Sequence, residues 1–217
     1  MLLRTDRLLR SSAIPVLVLA VPVSAGAFWA LMSLDPLFRG AIAGWRTPGF
    51  RAAMEWVTLF GQGWVLGAIG LAVALIGRRL GRRDLFRAGL VAVPALVASG
   101  LLARVVKILV GRPRPGVVDQ GLAHWGPSLA SGYHAFPSGH ATAAFTLAAV
   151  LAAVSPSWRP ALYGLAGLIA FSRVAVDAHF VSDVVAGGLL GWAVGRVASR
   201  VAARRWPTTV PRESHGA

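Results

Sequence analysis

The apolar residues of this sequence gather into six long runs, roughly Ala13–Leu34, Trp56–Gly77, Ala88–Val106, His140–Val154, Ala161–Val176 and Val181–Ala202. A helix rises about 1.5 Å per residue, so a run of about 20 residues matches a hydrocarbon core of about 30 Å. Lipid offers no partner for open backbone groups, so runs of this kind must be helical. The rest of the composition leaves little alternative. Hydrophobic residues make up 56% of the chain and charged residues 14%, and mean hydropathy is +0.64. A soluble domain uses about 25% charged residues to cover its surface. These values exclude a soluble globular protein, a disordered chain and a coiled coil. The fold class expected is all-α: a polytopic membrane protein with six transmembrane helices, forming one domain over residues 1–217 with its motif-bearing core at 104–203.

The charge balance is read against that background. There are 22 basic and 8 acidic residues, a formal net charge of +14. The basic residues fall mostly between the apolar runs, where arginines meet anionic head groups, so the expected partner is the bilayer and not nucleic acid. Arg4, Arg7 and Arg10 precede the first run, and Ala25-Gly26-Ala27 resembles a weak signal-peptidase site. That run continues through Phe28, Trp29, Ala30, Leu31 and Met32, further than a signal peptide requires, and is read as an uncleaved first span. With the N-terminus inside, fourteen basic residues lie on the inner side and eight on the outer. The positive-inside rule therefore puts both termini in the cytoplasm. The chain has no cysteine, which excludes a disulfide scaffold, thiolate metal sites and a cysteine nucleophile.

Alternating six spans brings three separated polar segments to the outer face, and ionisable groups at span ends are costly unless they pair or bind something. The first is Lys107-Ile-Leu-Val-Gly-Arg112-Pro-Arg114-Pro115. Arg112 and Arg114 each precede proline, which pushes their backbone away from the helical region. Fixed cations suit a phosphate, while a basic loop lying on head groups is the plain alternative. Lys107 is the only lysine among the 22 basic residues, which favours a specific role for its compact ammonium. The second segment, Phe136-Pro-Ser138-Gly139-His140, reads as a helix start. Free amides and the positive dipole end there welcome an anion, and His140 stands by as a proton donor. The third, Ser172-Arg173…His179…Asp183, spaces a histidine and a carboxylate four apart. On a helical turn the two share a face, and the carboxylate fixes the ring so that its other nitrogen can attack. The alternative is a structural pair. Too few carboxylates converge here for a calcium or magnesium site.

Taken together, the three segments resemble the type 2 phosphatidic acid phosphatase superfamily of membrane lipid phosphatases. The pattern K-x6-R-P, P-S-G-H and S-R-x5-H-x3-D is matched by Lys107…Arg114-Pro115, Pro137-Ser138-Gly139-His140 and Ser172-Arg173…His179…Asp183. The resemblance implies that His179 is the nucleophile and forms a phosphohistidine, with Asp183 orienting it. His140 is then the acid that protonates the leaving oxygen and afterwards the base that activates water. Lys107, Arg114, Ser138, Gly139 and Arg173 hold the phosphoryl oxygens, with no metal and no cofactor. The expected function is hydrolysis of a lipid phosphate or diphosphate at the outer face of the cytoplasmic membrane. Undecaprenyl diphosphate leads as substrate; phosphatidate, phosphatidylglycerol phosphate and lipid A phosphate are alternatives. A non-catalytic anionic-lipid binder or transporter is the reading from another class. The hydrophobicity argues against a soluble haloperoxidase, which shares related motifs.

Several residues stay outside that pattern. Arg112 is expected to shape its turn or touch head groups, His124 and His134 to be exposed loop residues, and Trp125 and Tyr133 to anchor at the interface. Asp177 has no assignable role. Gly187, Gly191 and Gly195 form a ridge for close helix packing, within the bundle or between subunits; the oligomeric state is left open.

Overall fold

A computed structural model describes residues 25–122 and 124–206. Among these residues all regular structure is helical. After α1 (residues 25–33) come α2 (Asp35–Ala43), α3 (Pro48–Leu59), α4 (Gly63–Arg79), α5 (Arg83–Val110), α6 (Pro115–Val118), α7 (Gly139–Val154), α8 (Arg159–Ala175) and α9 (Val181–Arg205). Two helices, α5 with 28 residues and α9 with 25, are long and apolar enough by themselves to cross a membrane. They correspond to the third and sixth runs of the sequence. Much of the first run lies outside the described residues.

The second run is where helix and hydropathy part company. Trp56–Gly77 reads as one span, yet the chain forms two helices, α3 and α4, bent by 52° at their junction. The α3 helix also starts earlier, at Pro48, where the side chain of Thr47 accepts a hydrogen bond from the Phe50 amide. Hydropathy averaged across Gly61-Gln62-Gly63 hides the break. A Cβ on Gly61 would lie 2.6 Å from Ile169 Cγ2 and 2.7 Å from His140 Cδ2. The bend therefore presses bare backbone against two neighbouring helices.

The fourth run becomes α7, and its shortness has a reason. Sixteen residues rise only about 24 Å, and ten of them are buried, so the helix is jacketed by protein along most of its length. Neighbours α4, α5, α8 and α9 surround it. Lipid tails are as apolar as leucine, so such contact must come from close packing of small residues. The glycine ridge of α9 supplies it within this bundle. A Cβ at Gly187 would lie 2.4 Å from Ser138 O, at Gly191 2.1 Å from Thr142 O, and at Gly195 2.6 Å from Thr146 O. Backbone thus meets backbone over two turns. On the outer flanks, Leu71, Leu75, Leu101, Leu109, Leu189 and Val197 are exposed, as suits surfaces that face lipid.

Candidate active site

The glycine seam has a direct consequence at its Gly187 end. It draws the start of α7 against the start of α9, and the Ser138 amide donates to the backbone oxygen of Asp183 at 2.9 Å. Asp183 is the third residue of α9, and its Oδ2 accepts from the Phe180 amide at 2.9 Å. His179 lies just before this helix, not on it, so the pair meets across a helix start and not along one helical face. Its Nδ1 stands 3.5 Å from Asp183 Oδ2, the outer limit of a hydrogen bond. Burial pulls the His179 imidazole down to about 4, against the opposing pull of Asp183. The ring is therefore a free base at neutral pH.

The cations arrive from two other helices. Lys107 occupies the last turn of α5, its Nζ donating to His134 O at 2.7 Å, and its Cε is 3.9 Å from where a Cβ on Gly139 would be. Gly111 ends α5 in the left-handed region at φ 52°, and a Cβ there would fall 1.6 Å from Gly126 O. Only glycine fits that turn. Arg173, in the last turn of α8, donates through Nη1 to Thr58 Oγ1 at 3.1 Å. Lys107, Arg114, Arg173 and His179 all come within electrostatic reach of the His140 ring. The eight residues singled out by sequence thus gather at one end of the bundle.

Four buried side-chain atoms among the described residues lack a hydrogen-bond partner: Arg114 Nε, Arg173 Nε, Ser138 Oγ and His179 Nδ1. Buried polar groups are nearly always paired. All four belong to the predicted site. Two guanidinium edges and a hydroxyl beside an imidazole form a donor set suited to an oxyanion. No group of three or more His, Asp or Glu side chains suited to a metal occurs among the described residues.

Around this cluster the structure corrects two expectations and gives a role to a residue that had none. Arg112 does not lie on head groups. It is 5% exposed, donating to Asp183 Oδ1 at 2.6 Å, Ser182 Oγ at 2.7 Å and Asp35 Oδ2 at 2.8 Å. Its guanidinium also packs over the rings of Phe180 and Trp125, 4.4 and 5.2 Å from their centroids. His134 is buried, with Nε2 against Ser128 O at 3.0 Å; His124 stacks with Tyr133. Asp177 acquires a role as a strut. It takes a φ of 60°, rare for a residue with a side chain. It receives Arg39 at 2.7 and 2.9 Å and Arg46 at 2.8 Å. Arg39 also grips Asp119 at 2.6 and 2.7 Å, which ties α2 to the loops that carry Asp119 and Asp177. The arginines hold the Asp177 carboxyl below its ordinary range, Arg39 most strongly.

Asp35, Ser182 and Thr58 escaped the sequence reading. Asp35 had a usable signal, since it is an acid at the outer end of the first run, where a lone carboxylate needs a partner.

A family model described as the PAP2 superfamily matches residues 88–207. The chain belongs to the PAP2 superfamily. A decaprenylphosphoryl-5-phosphoribose phosphatase of Mycobacterium tuberculosis is 33% identical over 161 residues, covering 73% of this chain and 84% of that protein. A lipid A 1-phosphatase of Rhizobium johnstonii is 40% identical over 98 residues, 44% of this chain. The match spans only 40% of that relative's length. Among solved structures, a transmembrane PAP2-type phosphatidylglycerolphosphate phosphatase from Bacillus subtilis shares the fold. Its TM-score is 0.60 at 22% identity, covering 82% of this chain and 89% of the other. LpxE of Aquifex aeolicus superposes with a TM-score of 0.53 at 26% identity, covering 76% and 93%. Like these PAP2 membrane phosphatases, the protein is an integral membrane protein.

Proposed function

We propose that the protein is a metal-independent lipid phosphatase acting at the outer face of the cytoplasmic membrane through a phosphohistidine. The observation that carries this is the set of unpartnered buried donors beside a carboxylate-backed imidazole. An anion binder needs the donors but has no use for the oriented base.

In the first step the free ring nitrogen of His179 gives its lone pair to phosphorus, and the bond from phosphorus to the leaving oxygen breaks. His140, in its protonated form beside the anionic substrate, passes a proton to that oxygen and becomes neutral. Asp183 stabilises the resulting cationic ring. In the second step His140 takes a proton from water, whose oxygen bonds phosphorus as the N–P bond breaks, releasing inorganic phosphate; the lipid alcohol, or the lipid monophosphate from a diphosphate, has already left in the first step. Lys107, Arg114, Arg173, Ser138 and Gly139 hold the phosphoryl oxygens throughout. Phosphoryl transfer depends chiefly on positioning and charge stabilisation, which these residues supply.

The leaving group departs on the His140 side, so the lipid tail must extend from there. An apolar groove of about 480 Å³ lies between α4, α7 and α8, with Phe60, Leu66, Leu147, Leu165 and Ile169 on its walls. Ile169 on its wall also meets Gly61, which in turn abuts the His140 ring. That continuity supports tail access from the bilayer along this groove. A polyprenyl tail, with undecaprenyl diphosphate the leading substrate, is supported by the relative named for a decaprenylphosphoryl compound. Lipid A phosphate is the second reading, supported by the lipid A 1-phosphatase relative.

The test is phosphate release by detergent-solubilised protein in EDTA, across undecaprenyl diphosphate, phosphatidate, phosphatidylglycerol phosphate and a lipid A phosphate. Release that depends on His179 is expected, with undecaprenyl diphosphate fastest. Equal rates for wild type and His179→Ala would leave only a binder. An obligatory divalent ion would remove the metal-free mechanism. Because the chain has no cysteine, Ser131→Cys and Gly81→Cys report topology directly. An impermeant maleimide should label the first, and not the second, in intact cells.

A further inference from the structure

Behind the nucleophile lies a buried ionic cluster that the mechanism above does not use. Arg112 is held between two carboxylates, Asp183 and Asp35, and Ser182 joins the group. Asp35 is 2% exposed, Asp183 0% and Arg112 5%. Asp35 Oδ1 accepts from the Ser182 amide at 3.0 Å, while its Oδ2 meets both the Ser182 hydroxyl and Arg112. Burying charges is costly, and a buried pair by itself is weak evidence for stability. A threesome at a reacting centre therefore calls for a functional explanation.

Formal charge supplies one. Arg112 alone would cancel Asp183, leaving no net charge behind His179 when its ring becomes cationic. The second carboxylate restores one net negative charge at that point. It also occupies one arm of the guanidinium, so that only Nη1 faces Asp183, at Oδ1. Oδ2 is thereby left to His179 and the Phe180 amide. The geometry and the charge count agree.

We infer that Asp35 and Arg112 are positioning residues of the phosphatase: they aim the Asp183 carboxylate and keep a net negative charge behind the cationic His179 intermediate. The inference rests on the proposed phosphatase reading. It also assigns a role to a segment outside the family match, which begins at residue 88. The α2 segment then completes the catalytic centre through Asp35.

The experiment compares wild type with Asp35→Asn in detergent, using farnesyl diphosphate and dioctanoyl phosphatidate, with thermal melting as a control for folding. Charged or titratable groups already facing His179 are Asp183 on α9, Lys107 on α5, Arg173 on α8 and His140 on α7. All of these remain in the variant. Expected are a kcat lowered about tenfold, KM within about threefold, and an acid limb of the pH–rate profile moved to lower pH. The limb moves because removing a negative charge makes protonation of the ring harder. An unchanged kcat overturns the inference, as does a fall in kcat with the acid limb unmoved, which marks a structural role only. If Asp35→Asn does not fold, Ser182→Ala decides. It should show the same kcat-against-KM split at about threefold, and wild-type kinetics would overturn the inference. Wild type that releases no phosphate from either lipid defeats the functional reading as well. Active wild type with an indifferent variant defeats the inference alone.

Discussion

The α7–α9 seam and the polar end of the bundle are held by opposite means. Along the seam, Gly187, Gly191 and Gly195 let backbone touch backbone, with no charged group involved. At the polar end, Arg112, Arg39 and Arg46 bind carboxylates that come from α2, α9 and the loops. The seam fixes where the two histidine-bearing segments stand relative to one another. The ionic end fixes how their side chains point. A bilayer gives helices no hydrophobic drive to associate, so closeness must come from shape; aiming a ring or carboxylate requires a directional bond. The first region should therefore be deaf to pH, and the second should hear it.

The largest effect is expected from breaking the seam. In Gly191→Leu the new Cβ would fall 2.1 Å from Thr142 O, a backbone atom that cannot step aside. Overpacking of this kind costs about 1–3 kcal/mol or more. Thermal melting in detergent should drop at every pH tested, with activity lost as the start of α7 separates from Asp183. A normal melting temperature would mean that the seam is looser than described.

Gly61→Val comes next and works by displacement. Its Cβ meets a movable Ile169 methyl and the His140 ring. The fold should survive while kcat falls about tenfold to a hundredfold, the usual cost of a misplaced catalytic group. Activity close to wild type would remove His140 from the position assigned to it.

A smaller effect sharpens the comparison at the ionic end. Asp177 is held below its ordinary range by Arg39 and Arg46. Its contribution is therefore complete above the usual carboxylate range, near 4, and is lost as pH falls through the lower folded value. Asp177→Asn should cost about 1 kcal/mol or less near neutrality, since the strut is partly exposed and screened. The cost should vanish in acid. Asp177→Gly should be more stable than Asp177→Ala by about 0.5–1 kcal/mol, because glycine takes a φ of 60° without strain. A pH-independent difference between wild type and Asp177→Asn would show that the carboxylate is not what holds the loop.

The smallest expectation is for His124→Ala. Its ring stacks on Tyr133 in an exposed loop, and both stability and phosphate release should stay within about 0.5 kcal/mol of wild type. A large loss would bring the outer loop into the site.

The sequence exposed the polar cluster more readily than the scaffold around it. Lys107, Arg114, His140, His179 and Asp183 were legible as a group because their residue types are expensive at span ends, and the structure brings them to one end of the bundle. The starts of α7 and α9 followed from the same motifs, within a residue of His140 and at Val181. The α3–α4 bend was not legible, because hydropathy averages over the three residues, Phe60 to Gln62, where direction changes. Nor was the pairing of Arg112 with Asp35, which stand 77 residues apart and meet only through tertiary structure. The glycine spacing announced close packing, but the identity of the opposing backbone required coordinates.

One consequence follows from the unequal lengths of α5 and α7. A shaft of 28 residues, about 42 Å, stands beside one of 16, about 24 Å. The surplus lies towards the end away from the histidine: Lys107, in the last turn of α5, reaches Gly139 at the start of α7, and only three residues of the longer shaft follow it. The polar ends of the two shafts are therefore nearly flush, and shortening α5 from its Arg83 end should leave the level of the histidine unchanged.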